Sequence, residues 1–193
     1  MGFYDTKEGV EQYLSMAEGY DGRALVDRLA EYLPEGARVL ELGIGPGKDL
    51  DMLRARYAVV GSDYSQPFLD RYRAAHPEVA LVQLDAQTLA GLDGDPGFDA
   101  IYSNKVLQHF GPEALAESLA SQLAHLREGG AGVLLHGLWH GDGEPEVHAG
   151  MTFHYVDRAR LEAATPAGLR LAVCEPYTEM EADDSVLAIW LRD

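Results

Sequence analysis

The sequence predicts an α/β protein whose mostly parallel sheet is covered by helices on both faces. Short aliphatic segments alternate with amphipathic helical segments from about residue 37 onward, a pattern typical of parallel sheets with helical crossovers. The last two strand segments are separated only by YTEMEADD, which is too short for a crossover, so these strands must pair antiparallel. With 193 residues, no internal repeat and no interdomain linker, residues 1–193 are expected to form one domain.

Two helices are predicted before the first strand. The first begins near Asp5 or Thr6, with Glu8 placed as in a capping box. Its apolar residues recur at helical spacing, at Val10, Tyr13, Leu14 and Ala17. The second helix covers residues 22–33 and ends at the PEG sequence of residues 34–36.

Strands and helices then alternate along the rest of the chain. Each expected strand is a short aliphatic run, and each expected helix carries apolar residues on one face. In chain order the expected strands are residues 38–43, 58–63, 79–85, 98–104, 131–139, 169–176 and 185–192. The expected helices between them are residues 48–56, 65–76, 111–130 and 156–165.

Composition and charge narrow the classes of partner. The net charge of −17 repels polyanions, since nucleic-acid binding depends on neutralisation of phosphates by Lys and Arg. We therefore expect a small-molecule partner and no nucleic acid. No run of about 20 apolar residues is present, and the polar start MGFYDTKEGVEQ is unlike a signal peptide. These features predict a cytoplasmic protein with no membrane partner. Cys174 is the only cysteine and is expected to be an inert buried thiol.

The segment VLELGIGPGKDL, residues 39–50, ends the first strand in three alternating glycines. Glycine at such a place lets a ligand approach the backbone closely, and ligands of open parallel sheets bind at the carboxyl ends of the strands. A P-loop is excluded because Asp49 follows Lys48 where a Ser or Thr is required, and position 42 is Leu. A dinucleotide fingerprint fits only in part, because Lys48 stands at the position of its third glycine.

S-adenosylmethionine suits this loop better than a dinucleotide. Glu41 precedes the glycines, and a carboxylate is unfavourable beside a pyrophosphate but favourable beside an ammonium group. Asp63 ends the second strand, where a carboxylate can accept hydrogen bonds from ribose hydroxyls or cap the following helix. Tyr64 either packs beside the sugar or adenine or lies at the surface. Asp85 ends the third strand and can meet the adenine edge with its side chain or through the Ala86 amide.

Five segments in order resemble the motifs of class I S-adenosylmethionine-dependent methyltransferases. They cover about residues 37–137 and read VLELGIGPG, VVGSDYS, LVQLDAQ, FDAIYSNKVLQHF and LREGGAGVLL. The resemblance implies a Rossmann-like sheet of seven strands in the order 3-2-1-4-5-7-6, with the last strand antiparallel. It also implies an N-terminal helical lid over residues 1–36, a cofactor-binding half over 37–137 and an acceptor-side half over 138–193.

The same resemblance implies S-adenosylmethionine as the cofactor and assigns residues to its parts. The three glycines Gly43, Gly45 and Gly47 are expected around the methionine moiety. The remaining contacts are expected from Asp63 at the ribose, Asp85 and Ala86 at the adenine, Asn104 near the amino-acid end, and Tyr20 in the lid.

Three histidines are candidates for catalysis. His109 follows Asn104 by about one turn, and either faces the cofactor or is a packed or capping residue. His136 and His154 flank the histidine-rich segment HGLWHGDGEPEVHAGMTFHY, which is expected to be an acceptor-pocket lid or a surface loop. This segment has no fixed metal-ligand spacing, so no metal site is predicted. Methyl transfer depends mainly on positioning and needs a base only if the acceptor must lose a proton.

The sequence therefore predicts a methyltransferase that transfers the methyl group of S-adenosylmethionine to a small-molecule acceptor by in-line displacement. Two alternatives stay open at this point. One is an NAD(P)-dependent oxidoreductase of Rossmann type, against which Lys48 and the reversed last strand count. The other is a non-catalytic protein that binds S-adenosylmethionine as a regulator or partner.

Overall fold

A seven-stranded sheet forms the centre of the protein in the computed structural model, which describes residues 6, 9–11, 14, 19, 22–92, 97–148 and 150–193. The strands lie in the order β3-β2-β1-β4-β5-β9-β8. Their bounds are β1 Arg38–Leu42, β2 Ala58–Asp63, β3 Ala80–Gln83, β4 Ala100–Asn104, β5 Val133–Trp139, β8 Leu169–Tyr177 and β9 Ser185–Arg192. Two short strands outside this sheet, β6 Glu146–His148 and β7 Met151–Phe153, pair with each other.

The predicted strand order is confirmed, because β8 and β9 are the expected sixth and seventh strands. β1 to β5 pair parallel, whereas β9 pairs antiparallel with both β5 and β8. The short connection between β8 and β9 forces this reversal. As a result the carboxyl ends of β1 to β4 meet at one edge of the sheet, where the glycine loop lies.

Five helices lie around the sheet in the described residues. They are α1 Arg23–Leu29, α2 Lys48–Arg54, α3 Gln66–Ala75, α4 Pro112–His125 and α5 Arg158–Ala164. α1 is shorter than predicted because the next residues form tight turns, in which Glu31 N–H donates to the Arg28 carbonyl and Tyr32 N–H to the Leu29 carbonyl. Pro34 then disfavours a helical conformation for the residue before it.

The alternation of side chains along β1 builds a core on each face of the sheet. Leu40 and Leu42 pack in one cluster with residues of α4 and α5, such as Leu119 and Leu161. Val39 points to the opposite cluster, which includes residues of α1 and α2. Helices therefore cover both faces, as the sequence predicts, and none in the described part of the chain is long and apolar enough to cross a membrane.

One element differs from the sequence prediction, and one predicted site residue lies outside the described part of the chain. The histidine-rich segment contains the β6–β7 hairpin, in which Val147 pairs with Thr152, where a loop was expected. Gly150 between the two strands has φ +77°, a left-handed conformation that suits a tight turn. The expected lid residue Tyr20, like Tyr13, lies outside the described residues.

Candidate cofactor site and active site

A cavity of about 340 Å³ opens at the carboxyl ends of β1, β2, β3 and β4. Four consecutive parallel strands contribute to it, as expected at the switch point of such a sheet. Its walls contain apolar side chains together with a few polar groups, which is usual for a small-molecule site. The lining residues are Gly43, Gly45, Ser62, Asp63, Tyr64, Phe68, Leu84, Asp85, Ala86, Gln87, Asn104, Lys105, Val106, His109 and Phe110.

The first two glycines of the loop line the cavity and need to be glycine. Gly43 has φ +72° and Gly45 has φ +46°, both in the left-handed region that side chains disfavour. A Cβ on Gly43 would also collide with Val106. The Gly45 N–H donates to the Asp63 carboxylate at 2.9 Å, so the second strand holds the loop in place.

Gly47 does not line the cavity, which corrects its expected place at the methionine moiety. It has φ +86° as the residue that caps the start of α2. A Cβ at this position would collide with the ring of Tyr72. The third glycine therefore serves the packing of α2 against α3, because the Tyr72 ring occupies the space that a side chain would take.

Asp63 stands between the glycine loop and α3. One carboxylate oxygen accepts the Gly45 N–H, and the other accepts the Ser65 N–H at 2.8 Å. Burial raises the pKa of Asp63 to about 6, although hydrogen bonds from main-chain N–H groups oppose this shift. The capping interpretation holds for its neighbour: Ser65 is the N-cap of α3 and accepts the Phe68 N–H.

The residues after β3 form the opposite wall. Asp85 accepts the Gln87 N–H at 2.8 Å, so its side chain fixes its own loop. The Ala86 carbonyl accepts the Ser118 hydroxyl of α4 at 2.7 Å, while Ala86 itself lines the cavity. Tyr64 lies at the mouth with its side chain 66% exposed, which leaves the ring able to cover a ligand.

Glu41 lies beneath the glycine loop and does not line the cavity. It is 2% exposed, because its side chain points into the face of the sheet opposite to that of Leu40 and Leu42. Burial, and then the charge of Asp49, raise its pKa well above the usual range. The described residues that line the cavity do not include Glu41, so its expected contact with the cofactor's ammonium group stays a prediction.

A hydrogen-bonded group around Asp49 was not found from the sequence. Asp49 is 9% exposed and accepts the Gly22 N–H at 2.8 Å, the Tyr102 hydroxyl at 2.7 Å and the Asn104 side-chain N–H at 3.1 Å. Asn104 in turn lines the cavity. The only cue in the sequence is an acid just after the glycines, which also suits a helix start.

His109 is the candidate base that lies in the cavity wall. Its Nδ1 is 3.0 Å from the Thr152 carbonyl oxygen, so Nδ1 carries the hydrogen and Nε2 holds the lone pair in the neutral ring. Burial lowers the pKa of His109 below its ordinary value. The ring also packs edge-on against Phe153 of β7, with centroids 4.8 Å apart. The hairpin thus fixes both the position and the tautomer of His109.

His136 is corrected from a pocket residue to a core residue. It lies in the middle of β5 with no exposed surface, and its ring faces Trp190 at 5.8 Å. Its Nδ1 is 2.8 Å from the Ser103 hydroxyl, and burial lowers its pKa to about 3. A group this enclosed does not touch a ligand in the cavity.

His154 belongs to a second cavity of about 490 Å³, beside the start of α4 and α5. Phe110 lines both cavities. The His154 main-chain N–H donates to the Gln108 carbonyl at 2.7 Å, which supports the 3₁₀ turn Leu107–His109. His154 lines the second cavity and not the first, but it is close enough to His109 to contribute to lowering its pKa. Its catalytic role stays a prediction.

Lys105 was also missed by sequence reasoning. It follows Asn104 with φ +58°, an uncommon conformation for a residue with a side chain. Its ammonium group reaches Glu179 at 2.8 Å and the Ser185 hydroxyl at 2.6 Å, and lies over the Trp139 ring at 4.2 Å. These contacts tie the cavity loop after β4 to the β8–β9 connection.

No group of three or more His, Cys, Asp or Glu side chains is placed to hold a metal ion in the described ranges. The four histidines of the histidine-rich segment are instead spread out. His136 is in the core, His140 contacts the Asp183 carbonyl, His148 pairs with Glu146, and His154 lines the second cavity.

Comparison with known proteins finds similarity to methyltransferases over the part of the chain that forms this site. Residues 39–130 match the family model described as a methyltransferase domain. Trans-aconitate 2-methyltransferase of Methylobacterium nodulans is 39% identical over 118 residues, which cover 58% of this chain and 44% of that protein. A relative of the same name in Azoarcus is 36% identical over 124 residues, covering 62% of this chain and 47% of the relative. The chain thus spans less than half the length of these curated relatives.

Solved structures share the fold at lower identity. A TehB-like S-adenosylmethionine-dependent methyltransferase from Corynebacterium glutamicum has a TM-score of 0.74 at 20% identity, covering 97% of this chain and all of that one. The 1,6-didemethyltoxoflavin-N1-methyltransferase of Burkholderia thailandensis, solved with S-adenosylhomocysteine, has a TM-score of 0.69 at 23% identity, covering 88% and 76%. Residues 39–130 therefore match a methyltransferase domain, and the chain shares the Rossmann-like class I fold of these solved methyltransferases.

Proposed function

We propose that this protein is an S-adenosylmethionine-dependent methyltransferase that acts on a small molecule. The observation that carries the proposal is the arrangement of the 340 Å³ cavity. Bare backbone of Gly43 and Gly45, the Asp63 carboxylate and the Asp85–Ala86 loop lie at the ends of three neighbouring strands. In that order they suit the methionine, ribose and adenine of one extended nucleoside.

The direct test is equilibrium binding to the purified protein. We expect S-adenosylhomocysteine to bind and to raise the melting temperature, because a ligand that binds only the folded state stabilises it by about 2.7 kcal/mol at a hundred times its Kd. NAD is the matched control, because its pyrophosphate would lie at the glycine loop, where Lys48 stands in place of the third glycine of a dinucleotide fingerprint. Stabilisation by NAD and not by S-adenosylhomocysteine would establish the oxidoreductase instead.

The acceptor side is proposed to lie beyond His109, between the 3₁₀ turn and the β6–β7 hairpin. His109 lines the cofactor cavity, and its orientation leaves the Nε2 lone pair as its basic atom. A base 2.6–3.2 Å from an acceptor hydroxyl or ammonium could remove the proton during methyl transfer. In-line attack on the methyl carbon then releases S-adenosylhomocysteine.

The names of the relatives suggest small carboxylic acids, trans-aconitate first, as acceptors to assay. A carboxylate is already ionised at neutral pH and needs no base, whereas a hydroxyl or ammonium acceptor does. We expect His109→Asn to lower kcat/KM about 100-fold or more for a hydroxyl or amine acceptor, and less than about threefold for a carboxylate. The measurement is S-adenosylhomocysteine formation across a panel of acceptors.

His154→Asn serves as the control, since His154 lines the second cavity and not the cofactor cavity. An equal loss in both variants would remove His109 from the chemistry. If the protein binds the cofactor tightly and no panel member is methylated, the non-catalytic binding protein becomes the better description.

A further inference from the structure

Asp49 joins three parts of the chain that are distant in sequence. It is the second residue of α2, directly after the glycine loop. One carboxylate oxygen accepts the main-chain N–H of Gly22, which immediately precedes α1. The other accepts from Tyr102 and Asn104 on β4. A Cβ on Gly22 would collide with both Asp49 and Tyr102, so the backbone there packs directly on the carboxylate.

This contact determines which way the Asn104 amide faces. A carboxylate only accepts hydrogen bonds, whereas an amide has a donor end and an acceptor end. The Asn104 Nδ2 group lies 3.1 Å from Asp49, and the reversed amide would place oxygen against oxygen. With Nδ2 bound, the acceptor Oδ1 is buried and has no hydrogen-bond partner among the described residues. A buried acceptor without a partner is unfavourable, and because Asn104 lines the cavity, a ligand group that donates a hydrogen bond would offset this cost.

In this group Asp49 accepts from both the Tyr102 hydroxyl and the Asn104 amide. Burial raises the pKa of Tyr102 well above its usual range, so its hydroxyl remains a donor to Asp49. Glu41, on the same face of the sheet, also has its pKa raised by burial and by Asp49. The Asn104 amide therefore has one favourable orientation, set by a neighbouring carboxylate that does not line the cavity.

We propose that Asp49 is a positioning residue, which turns the Asn104 carbonyl oxygen toward the α-ammonium group of the bound cofactor. The inference rests on the proposed function, because it needs a ligand with an amino-acid end in this cavity. Asp49 itself touches no ligand. It selects the orientation of Asn104 and fixes the point where the chain enters α1.

Two ligands that differ only at the amino-acid end test the inference. S-adenosylhomocysteine carries the α-ammonium and α-carboxylate groups, while 5′-methylthioadenosine keeps the adenosine and thioether without them. By calorimetry we expect Asp49→Ala to weaken S-adenosylhomocysteine at least tenfold and to leave methylthioadenosine within about twofold. Asn104→Ala should give the same selective loss. The double variant should be no weaker than either single one, since both changes remove one interaction.

Tyr102→Phe is the matched control, because it removes another donor to the same Asp49 oxygen and leaves the Asn104 contact in place. It should keep both affinities within about threefold. Where Asp49→Ala does not fold, Asp49→Leu fills a similar space and is expected to show the same selectivity, because its side chain accepts no hydrogen bond. Equal losses for both ligands, or a selective loss in Tyr102→Phe, would overturn the inference. A wild-type protein that binds neither ligand would instead refute the proposed function.

Discussion

Asp63 combines two tasks at the residue scale, and its protonation connects them. Its carboxylate holds the glycine loop through the Gly45 N–H and starts α3 through the Ser65 N–H. These donors favour the ionised form, but burial outweighs them and raises the pKa to about 6. The free protein therefore holds a proton on Asp63 below that pH, while ribose hydroxyls bind best to the ionised carboxylate.

This raised pKa predicts that cofactor affinity falls in mild acid. Below about pH 6, binding to the ionised form must release a proton, so the Kd for S-adenosylhomocysteine should rise about tenfold for each further pH unit. We expect about a tenfold weaker Kd at pH 5 than at pH 7, measured by calorimetry. Asp63→Asn should bind weakly and without this pH dependence. The same dependence in Asp63→Asn would assign the titration to another group.

Some of these residues could be predicted and others could not, for a physical reason. Gly43, Gly45 and Asp63 sit in local motifs whose spacing fixes their place at strand ends. Asp49 was missed because its partner Gly22 contributes only a main-chain N–H. Every residue except proline has this group, so the residue type at position 22 does not reveal the contact. His136 was misplaced because β5 is buried along nearly its whole length, and a strand apolar on both faces does not show where a side chain points.

At the scale of elements, the junction between the glycine loop and α2 depends on a close contact. Gly47 has a left-handed conformation, and the Tyr72 ring of α3 lies where a side chain would be. We expect Gly47→Ala to lower the free energy of unfolding by about 2–4 kcal/mol, by summing backbone strain and overpacking. Urea denaturation measures this loss.

Gly36→Ala is the control for that change, since Gly36 has φ +77° and nothing within 4 Å of the added Cβ. It should cost only the backbone strain, about 1 kcal/mol. The difference between the two variants measures the collision with Tyr72. Equal losses would contradict the packing role of Gly47.

The β6–β7 hairpin is an element that the sequence does not predict. β6 and β7 have three residues each, too few for a period-two pattern to stand out from a loop. Their position beside His109 depends on the Thr152 carbonyl and the Phe153 ring, which are contacts across 43 residues of sequence. The sequence therefore suggested an acceptor-pocket lid or a surface loop for this segment, which stays a prediction, and did not show its regular structure.

For the whole molecule, the directions of the seven strands followed from few features of the sequence, while their order was implied by the resemblance to class I methyltransferases. Alternation of strands and helices required a parallel sheet, and the short YTEMEADD connection reversed the last strand. The observed order β3-β2-β1-β4-β5-β9-β8 then places the glycine loop at the switch point. Two departures from known glycine loops narrowed the choice of ligand class. Lys48 stands where a dinucleotide fingerprint has its third glycine, and Asp49 stands where a P-loop has a Ser or Thr.

The place of β9 has a consequence for assembly. This strand is inserted between β5 and β8, pairing Val133 with Leu191 and Leu171 with Trp190. Until residues 185–192 dock, β5 exposes an apolar edge that could recruit another chain. Loss of that strand would leave a half-formed sheet prone to aggregation, although every residue that lines the cofactor cavity would still be present.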